Sequence, residues 1–288
     1  MTITTDGVAG TPNPGADGRP MSVPVSKRPL PLSSTCDTVG NIAQFGMLVL
    51  LELPMTLGFY FSEVLRQAAI LVRSSALVIW FMMFAIGAET GLQGSYLLDQ
   101  VGASGYVGVF TAIGDLKADS TSMWGWILAA KVGCGYVAEI GSMRISDEID
   151  ALEVMGVHSR AYLAGSRLLA MWITAPFMYI VGLLIQFFGS WLIVQPMLDT
   201  TSPGGYSNIF WSFQAPIDLF YATLWAMLLA TMVVIVGCYY GYAASGGPVG
   251  VGRSTAQSMM VNMIVVSAAA AILYQLFFGT NIQTPIAN

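Results

Sequence analysis

Charged side chains in this sequence gather in one short segment between two apolar stretches. The segment runs from Glu139 to Arg160 and reads EIGSMRISDEIDALEVMGVHSR. Its charged members are Glu139, Arg144, Asp147, Glu148, Asp150, Glu153 and Arg160. The chemistry that this set suits is recognition, because an acidic face can meet a basic rim on a partner protein.

The apolar residues of the same segment predict a short amphipathic helix over 142–156. They follow the i, i+4, i+7 and i+11 pattern of one helix face and are Ile145, Ile149, Leu152 and Gly156. Arg144 can reach Asp147 or Glu148 one turn further on, and Gly156 marks the helix end. A helix tied at both ends to apolar spans is suited to transmitting force, with its apolar face in a partner's groove; the alternative is an ordinary solvated loop helix.

The histidine and cysteines of the sequence do not form a recognisable catalytic or metal-binding motif. The one histidine, His158, has no nearby nucleophile and is interpreted as a surface residue. The three cysteines, Cys36, Cys134 and Cys238, lack metal-ligand or redox spacing and are interpreted as small apolar packing residues. We therefore predict no catalytic residue and no metal site.

A glycine-rich stretch, GYAASGGPVGVG over 241–252, is the other conspicuous motif. It lacks the preceding strand of a dinucleotide fingerprint, and no G-x-x-x-x-G-K-[ST] occurs in the chain. Its motif residues are Gly246, Gly247, Pro248, Gly250 and Gly252. We interpret it as a tight turn between two spans. The chain is thus expected to bind no cofactor, and energy for uphill transport must come from a partner or an ion gradient.

The amino-acid composition predicts the class of protein in which these motifs are placed. Only 9% of the 288 residues are charged and 55% are hydrophobic, against roughly 25% charged in a soluble domain. Such a chain has too little polar surface to stay soluble when folded in water. The net charge of −5 provides no basic footprint for nucleic acid. We predict an integral membrane protein.

Charge-free gaps after Arg167 locate the last three spans, since a crossing helix needs about 20 apolar residues, and two earlier spans are predicted from apolar runs that contain charges. After Arg167 the only charged residues are Asp199, Asp218 and Arg253. The predicted spans are 68–92, 123–140, 168–193, 219–240 and 256–278. Lys131 lies in the middle of the second, where a charge is either part of a substrate path or structural glue.

The N-terminal part is predicted to stay out of the hydrocarbon. Residues 1–33 are rich in Pro, Gly, Ser and Thr and predict a disordered cytoplasmic tail. Residues 34–66 contain Glu52 and Pro54 and predict either a kinked span or an interfacial helix, of which the interfacial helix is favoured. The fold class is an all-α integral membrane protein with an N-terminal interfacial helix, five transmembrane helices over 67–288, and a cytoplasmic coupling helix between the second and third.

The distribution of lysine and arginine predicts the orientation. One side collects the basic residues Lys27, Arg28, Arg66, Arg73, Arg144, Arg160, Arg167 and Arg253. The other side collects Asp99, Asp115, Asp119, Asp199 and Asp218, with Lys117 as its only base. This bias places the N-terminus in the cytoplasm and the C-terminus outside the cell (inner) membrane.

The segment AEIGSMRISDEIDALEVMGV over 138–157 resembles the signature of the MlaE/YrbE permeases, the membrane subunits of lipid-transporting ABC systems that work with MCE proteins. Ala130-Lys131-Val132-Gly133 and the Gly246–Gly252 loop also fit that family. Cys238–Tyr242 with this loop looks most like the B-type YrbE subunit of actinobacterial Mce systems. The chain departs from the family at 116–122, where many relatives have R-E-x-G-P and this sequence reads LKADSTS.

The resemblance implies a function and a set of partners. The chain would be a permease that moves a hydrophobic lipid (a fatty acid, mycolate, phospholipid or sterol) across the membrane. Its partners would be a second YrbE-type permease in a heterodimer, a cytoplasmic ABC ATPase dimer that uses ATP and Mg, and MCE proteins on the outer side. Contact with the ATPase would fall to Glu139, Gly141, Arg144, Asp147, Glu148, Asp150, Glu153 and Gly156.

Two other functions compete with this one. A secondary lipid carrier would show paired midplane carboxylates or broken helices in repeated halves, and neither is visible in the sequence. A non-transporting membrane scaffold of the MCE complex would fit a diverged subunit whose partner supplied the whole lipid path.

Overall fold

The computed structural model describes residues 31–199 and 201–279. Its described residues form helices and turns without any strand. The chain divides into two compact units, 1–39 and 40–288. Of the first unit, the described part is the beginning of the first helix; the site and the packing below belong to the second unit. The predicted tail 1–33 lies outside the described residues, except for its last three residues, which begin that helix.

Ten α-helices follow one another along the described chain. They are α1 Pro31–Phe59, α2 Phe61–Gln100, α3 Val107–Ile113, α4 Ser120–Leu128, α5 Cys134–Ile145, α6 Glu148–Val154, α7 Ser166–Leu192, α8 Pro203–Ser212, α9 Pro216–Tyr242 and α10 Gly247–Phe278. Four wider π-helical turns join or extend them, at Gly114–Asp119, Ala129–Gly133, Ala161–Gly165 and Ile193–Met197. Two of these turns link α3, α4 and α5 into one continuous irregular helix over 107–145.

Five helical segments of the described chain are long and apolar enough to cross a membrane: Asp37–Phe59, Phe61–Gln100, Ala161–Met197, Pro216–Tyr242 and Gly247–Phe278. The prediction of an all-α integral membrane protein is confirmed. Four of these segments contain the predicted spans 68–92, 168–193, 219–240 and 256–278.

The remaining predicted span, 123–140, is helical but is not among these five segments. Its stretch carries Lys131 and follows the hydroxyl-rich Ser120–Ser122, and α4 and α5 pack against both α9 and α10. Burial inside the bundle accommodates the hydroxyls of Ser120 and Thr121, whereas Lys131 is exposed, so hydropathy alone misjudges this helix.

The segment predicted as one interfacial helix over 34–66 is two helices instead. Tyr60, with φ −121° and ψ 21°, separates α1 from α2. Pro54, in contrast, lies inside α1 without ending it. Because Asp37–Phe59 has the length and composition of a span, the choice between an interfacial and a crossing α1 stays a prediction.

Small residues bring the main helix pair together. α2 and α7 share the most extensive interface in the bundle. At Gly87 an added Cβ would collide with the backbone of Gln186, and at Gly189 it would lie 2.6 Å from the Phe84 carbonyl oxygen. The Ser190 hydroxyl donates to the Gly87 carbonyl at 3.0 Å. Such close backbone approach is how helices associate where apolar surface gives no advantage over lipid.

Helix α9 contacts α4, α5, α7 and α10. Gly237 lies against Gly133 of the π-helical turn, where an added Cβ would be 3.0 Å from the Gly133 carbonyl oxygen. Near the end of α9, a Cβ added at Gly241 would be 2.8 Å from the Cβ of Ile140 in α5. The core of this bundle therefore holds α5 in a fixed position, and α5 leads directly into the acidic segment.

Candidate coupling site

The acidic segment turns a corner instead of forming the single helix predicted over 142–156. α5 ends at Ile145, and α6 begins at Glu148. Between them, Asp147 has φ 60° and ψ 15°, in the left-handed region. Aspartate tolerates this conformation better than most residues. The periodic pattern of apolar residues continues across the corner, which is why the sequence predicts one helix.

The ion pair at the corner differs from the predicted one. Arg144 pairs with Asp150 and not with Asp147 or Glu148, because the turn at Asp147 removes the i+3 and i+4 geometry. Glu148 instead lies 3.0 Å from the Ser146 hydroxyl. Both partners of the ion pair are substantially exposed, and such pairs contribute at most about 1 kcal/mol. The pair connects the end of α5 to α6.

Two interactions anchor α6 to the bundle. Ile149 is 1% exposed and belongs to the main core, with Leu152 packed beside it. The helix then ends in a Schellman motif, in which the Gly156 and Val157 amides donate to the Glu153 and Leu152 carbonyls, both at 3.0 Å. Gly156 has φ 80°, so a side chain here would be strained.

The exposed face of α6 combines carboxylates with apolar side chains. Asp147, Glu148, Asp150 and Glu153 are exposed. Val154 and Met155 are 90% and 69% exposed. The predicted docking face of Ile145, Ile149 and Leu152 is wrong, since Ile149 and Leu152 pack onto the chain's own core. The two exposed apolar residues were missed, and their adjacent position just before Gly156, off the Ile149–Leu152 face, is the signal that could have found them.

Glu139 and Gly141 act at the base of the segment. The Glu139 carboxylate lies 2.8 Å from the guanidinium of Arg167, which is 1% exposed and also donates to the Leu163 carbonyl at 2.9 Å. At Gly141 an added Cβ would come within 3.0 Å of Val251 and 3.2 Å of Ala244. Both residues thus attach α5 to its neighbours, one to α7 and the other to α10.

The glycine-rich loop lies beside this base, so the structure brings the two sequence motifs together. Gly246 and Gly247 have φ of 85° and 74°, and Pro248 occupies the first turn of α10, where proline fits. At Gly250 an added Cβ would collide with the Ser245 carbonyl. Nothing in the structure explains Gly252, whose Cβ position is open. The prediction of a tight turn between two spans agrees with this geometry.

The end of the acidic segment also contacts α1. Arg160 pairs with Glu52 at 3.1 Å, and the Thr56 hydroxyl donates to the Ala161 carbonyl at 3.1 Å. Tyr60 packs edge-on against Tyr162 at 5.3 Å between ring centres. Glu52, which the sequence marks as costly in hydrocarbon, thus has a cationic partner that spacing could not reveal.

A pocket of about 260 Å³ lies beside this contact and is lined by Glu52, Glu153 and residues 156–160. His158 is exposed at its wall, in agreement with its interpretation as a surface residue. Lys131 does not line this pocket; it lines a cleft between α2 and α5 that also includes Glu139, two helical turns away.

At the opposite end of the bundle Lys117, Asp218 and Asp115 are buried, whereas Asp99 is exposed. Lys117 and Asp218 form an ion pair at 2.9 Å, and their side chains are 6% and 3% exposed. Asp115, fully buried, accepts hydrogen bonds from Ser190 and from Gln186. Sequence reasoning placed these residues on one side of the membrane but missed their pairing. Lys117 belongs to the segment 116–122 that departs from the family pattern.

The helical bundle, its apolar surfaces and its single acidic corner define a multi-pass membrane protein. Comparison with known proteins identifies the class further: residues 64–276 match the model of the family described as Permease MlaE. The chain belongs to this family of permeases, which confirms the resemblance read from the acidic segment. It is the membrane subunit of a transporter, and the family implies an ATPase partner.

Individual relatives agree with that assignment. A probable ABC transporter permease protein of Rickettsia bellii is 27% identical over 219 residues, which cover 76% of this chain and 84% of the relative. One from Synechocystis is 26% identical over 60% of this chain and 68% of its own length. The Arabidopsis chloroplast protein named TRIGALACTOSYLDIACYLGLYCEROL 1 is 23% identical over 53% of this chain and 43% of its own length.

Proposed function

We propose that the chain is the permease subunit of an ABC-type MCE lipid transporter, in which it moves a hydrophobic lipid across the cell membrane under the control of a separate ATPase. Its partners are a second YrbE-type permease in a heterodimer, an ATPase dimer and MCE proteins, with this chain as the B-type member. The observation that carries the proposal is the α6 corner, which consists of the turn at Asp147 and helix α6. It is an exposed acidic and apolar surface rigidly attached to the helix bundle.

The α6 corner is built to pass on a displacement. A partner that pushes on Val154, Met155 and the surrounding carboxylates moves α6 as a unit, since Ile149 and the Gly156 motif hold it to the bundle. At the base of the corner, the Glu139–Arg167 ion pair connects α5 to α7, so a displacement of the corner reaches α7. The Arg160–Glu52 pair leads to α1.

The orientation that suits this function has the corner in the cytoplasm, where an ATPase has access to nucleotide. The basic residues near the corner, including Arg66, Arg144, Arg160 and Arg253, support that orientation by the positive-inside rule. With α1 interfacial, as the sequence predicts, the N-terminus is then cytoplasmic, and the C-terminus lies outside.

An apolar pocket supports a lipid as the transported molecule. It has a volume of about 310 Å³ and lies where α7, α8 and the first turn of α9 meet Leu116. Its lining includes Leu183, Leu184, Phe187, Trp211 and Leu219. A pocket of this size and character suits an acyl chain or another hydrophobic group, and it lies at the end of α9 away from the α6 corner.

Charge reversal on α6 tests the proposal. Glu148→Lys or Asp150→Lys should release the ATPase and abolish ATP-driven lipid transfer between vesicles, while the chain still inserts in membranes with its permease partner. Asp99→Lys is the matched control, because Asp99 is an exposed carboxylate at the far end of α2. Normal co-purification of the ATPase and normal lipid transfer in both α6 variants would refute the coupling role. ATP-independent uptake by the chain alone would indicate a secondary carrier instead.

A further inference from the structure

A narrow cleft lies between α2 and the π-helical turn before α5, and it shares Glu139 with the base of the α6 corner. Its volume is about 140 Å³. The residues that line it are Gln67, Ile70, Leu71, Ser74, Ser75, Lys131, Val132, Gly135, Tyr136 and Glu139. Several of these side chains are polar, although the cleft lies along helices that are otherwise rich in apolar residues.

Lys131 supplies the uncompensated charge of the cleft. It is exposed, and within the described parts of the chain it forms no ion pair. The one carboxylate of the lining, Glu139, is already paired with Arg167 at 2.8 Å. The cleft therefore presents one net positive charge. A lone ammonium at membrane depth is costly, and such residues mark functional sites.

The backbone around Lys131 is specialised as well. Lys131 is the middle residue of the π-helical turn Ala129–Gly133, and single π turns inside α-helices occur frequently at functional sites. Gly135, one turn later, leaves the wall open, since nothing lies within 4 Å of an added Cβ there.

Hydrogen-bond donors accompany the charge. The Ser74 hydroxyl donates to the Leu71 carbonyl at 3.4 Å and lies 3.2 Å from the Ser75 hydroxyl, which can donate either to Ser74 or to a ligand. Tyr136 is 7% exposed, and its buried hydroxyl has no partner among the residues that the structure describes. The Lys131 ammonium and the Ser75 hydroxyl form a donor set for a singly charged oxyanion.

Size and surroundings indicate what carries that oxyanion. At about 30 Å³ per water molecule, the cleft admits a phosphate or carboxylate group but not an acyl chain. Apolar side chains of α2 continue outward from it: Ile70, Leu77 and Val78 are 46%, 78% and 43% exposed. Lys131 lies roughly 12 Å along the helix from Glu139, at 1.5 Å per residue.

We propose that this cleft binds the anionic headgroup of a lipid, a phosphate diester or a carboxylate, with Lys131 as its charge partner and the acyl chains along α2. This inference rests on the proposed lipid transport and narrows its substrate to anionic lipids. It makes Lys131 a binding residue instead of structural glue.

The experiment measures lipids retained by the full-length chain, purified with its partners in nanodiscs that contain phosphatidylglycerol, oleate and phosphatidylcholine. Native mass spectrometry should show retention of phosphatidylglycerol or oleate over phosphatidylcholine. Lys131→Gln should reduce that preference by roughly tenfold, the effect of one charge-assisted hydrogen bond. Lys131→Arg should keep it. Gly135→Leu should reduce it by filling the cleft without changing any charge.

Arg73→Gln is the control for general attraction, because Arg73 is exposed beside Ser74 but does not line the cleft. An unchanged preference in Lys131→Gln, or an equal loss in Arg73→Gln, would overturn the proposal. Competition by millimolar inorganic phosphate with no lipid preference would also overturn it, in favour of a soluble anion. ATP-driven transfer is scored separately, so a complex that retains anionic lipid but transports none would refute the proposed function and leave the cleft assignment standing.

Discussion

The two ends of the helix bundle handle charge in opposite ways. At the α6 corner, Arg144 and Asp150 are paired but exposed, and the neighbouring carboxylates face outward. At the other end, Lys117 and Asp218 are paired and almost completely buried, close to the buried Asp115. Exposed charges remain available to a partner protein, whereas buried pairs fix the register of the helices that carry them.

The energetic consequences differ in the same way. An exposed ion pair contributes at most about 1 kcal/mol, because water already solvates both charges. A buried pair adds little over a well-packed apolar pair, but breaking it leaves one charge without compensation and costs about 3–5 kcal/mol. Substitutions at the buried end should therefore affect folding, and substitutions at the corner should affect function.

The largest effect is expected from Asp218→Asn. It leaves the Lys117 ammonium buried without a counter-charge and should lower the free energy of unfolding by about 3–5 kcal/mol. The double variant Lys117→Met, Asp218→Leu removes both charges and should recover most of that loss. Unfolding of the purified chain in mixed micelles, followed by circular dichroism, measures both. A single variant as stable as the wild type would show that the pair is not buried in the protein as the geometry has it.

Ile149→Ala comes next and tests how α6 is attached. Removal of a fully buried isoleucine side chain costs about 2–5 kcal/mol, here spent mainly on releasing α6 from the core. We expect protease cleavage within 146–156 to accelerate while the bundle stays folded. Val154→Ala, at a site that is 90% exposed, is the control and should leave the cleavage rate unchanged. Equal cleavage in both variants would contradict the anchoring role of Ile149.

Gly156→Ala should have a smaller effect. An alanine forced to φ 80° costs about 1–2 kcal/mol in the left-handed region, which should fray the end of α6 and lower the melting temperature slightly. Gly58→Ala provides the comparison, since its Cβ position is open and its helix would gain up to about 1 kcal/mol in propensity. Melting temperatures that move in the same direction in both variants would argue against a strained turn at Gly156.

The smallest effect on stability belongs to Arg144→Gln, which breaks only the exposed pair. The free energy of unfolding should fall by less than about 1 kcal/mol, yet ATP-driven lipid transfer should fall markedly because α6 loses its ion-pair connection to the end of α5. This variant sharpens the contrast between the two ends: the corner should tolerate the change in folding and fail in function. A proportional loss of stability and transfer would remove the distinction.

Several features of the fold follow from local sequence. Three of the predicted spans, 168–193, 219–240 and 256–278, come from charge-free gaps longer than a bilayer-crossing helix needs, and each lies within a long apolar helix. The family signature over 138–157 is contiguous. The helix at 123–140 shows the limit, because its hydropathy does not reveal that it packs against α9 and α10. No property of the segment alone carries that information.

The candidate site divides along the same line. The sequence by itself determined which residues gather in the acidic segment, and the MlaE family to which they belong, because both depend on neighbours along the chain. Only the tertiary structure decided that Asp147 turns the helix, that Ile149 faces inward, that Glu139 meets Arg167, and that Lys131 faces a cleft with Ser74 and Ser75. These contacts join residues that are distant in sequence or depend on a single backbone angle, and periodicity reports neither.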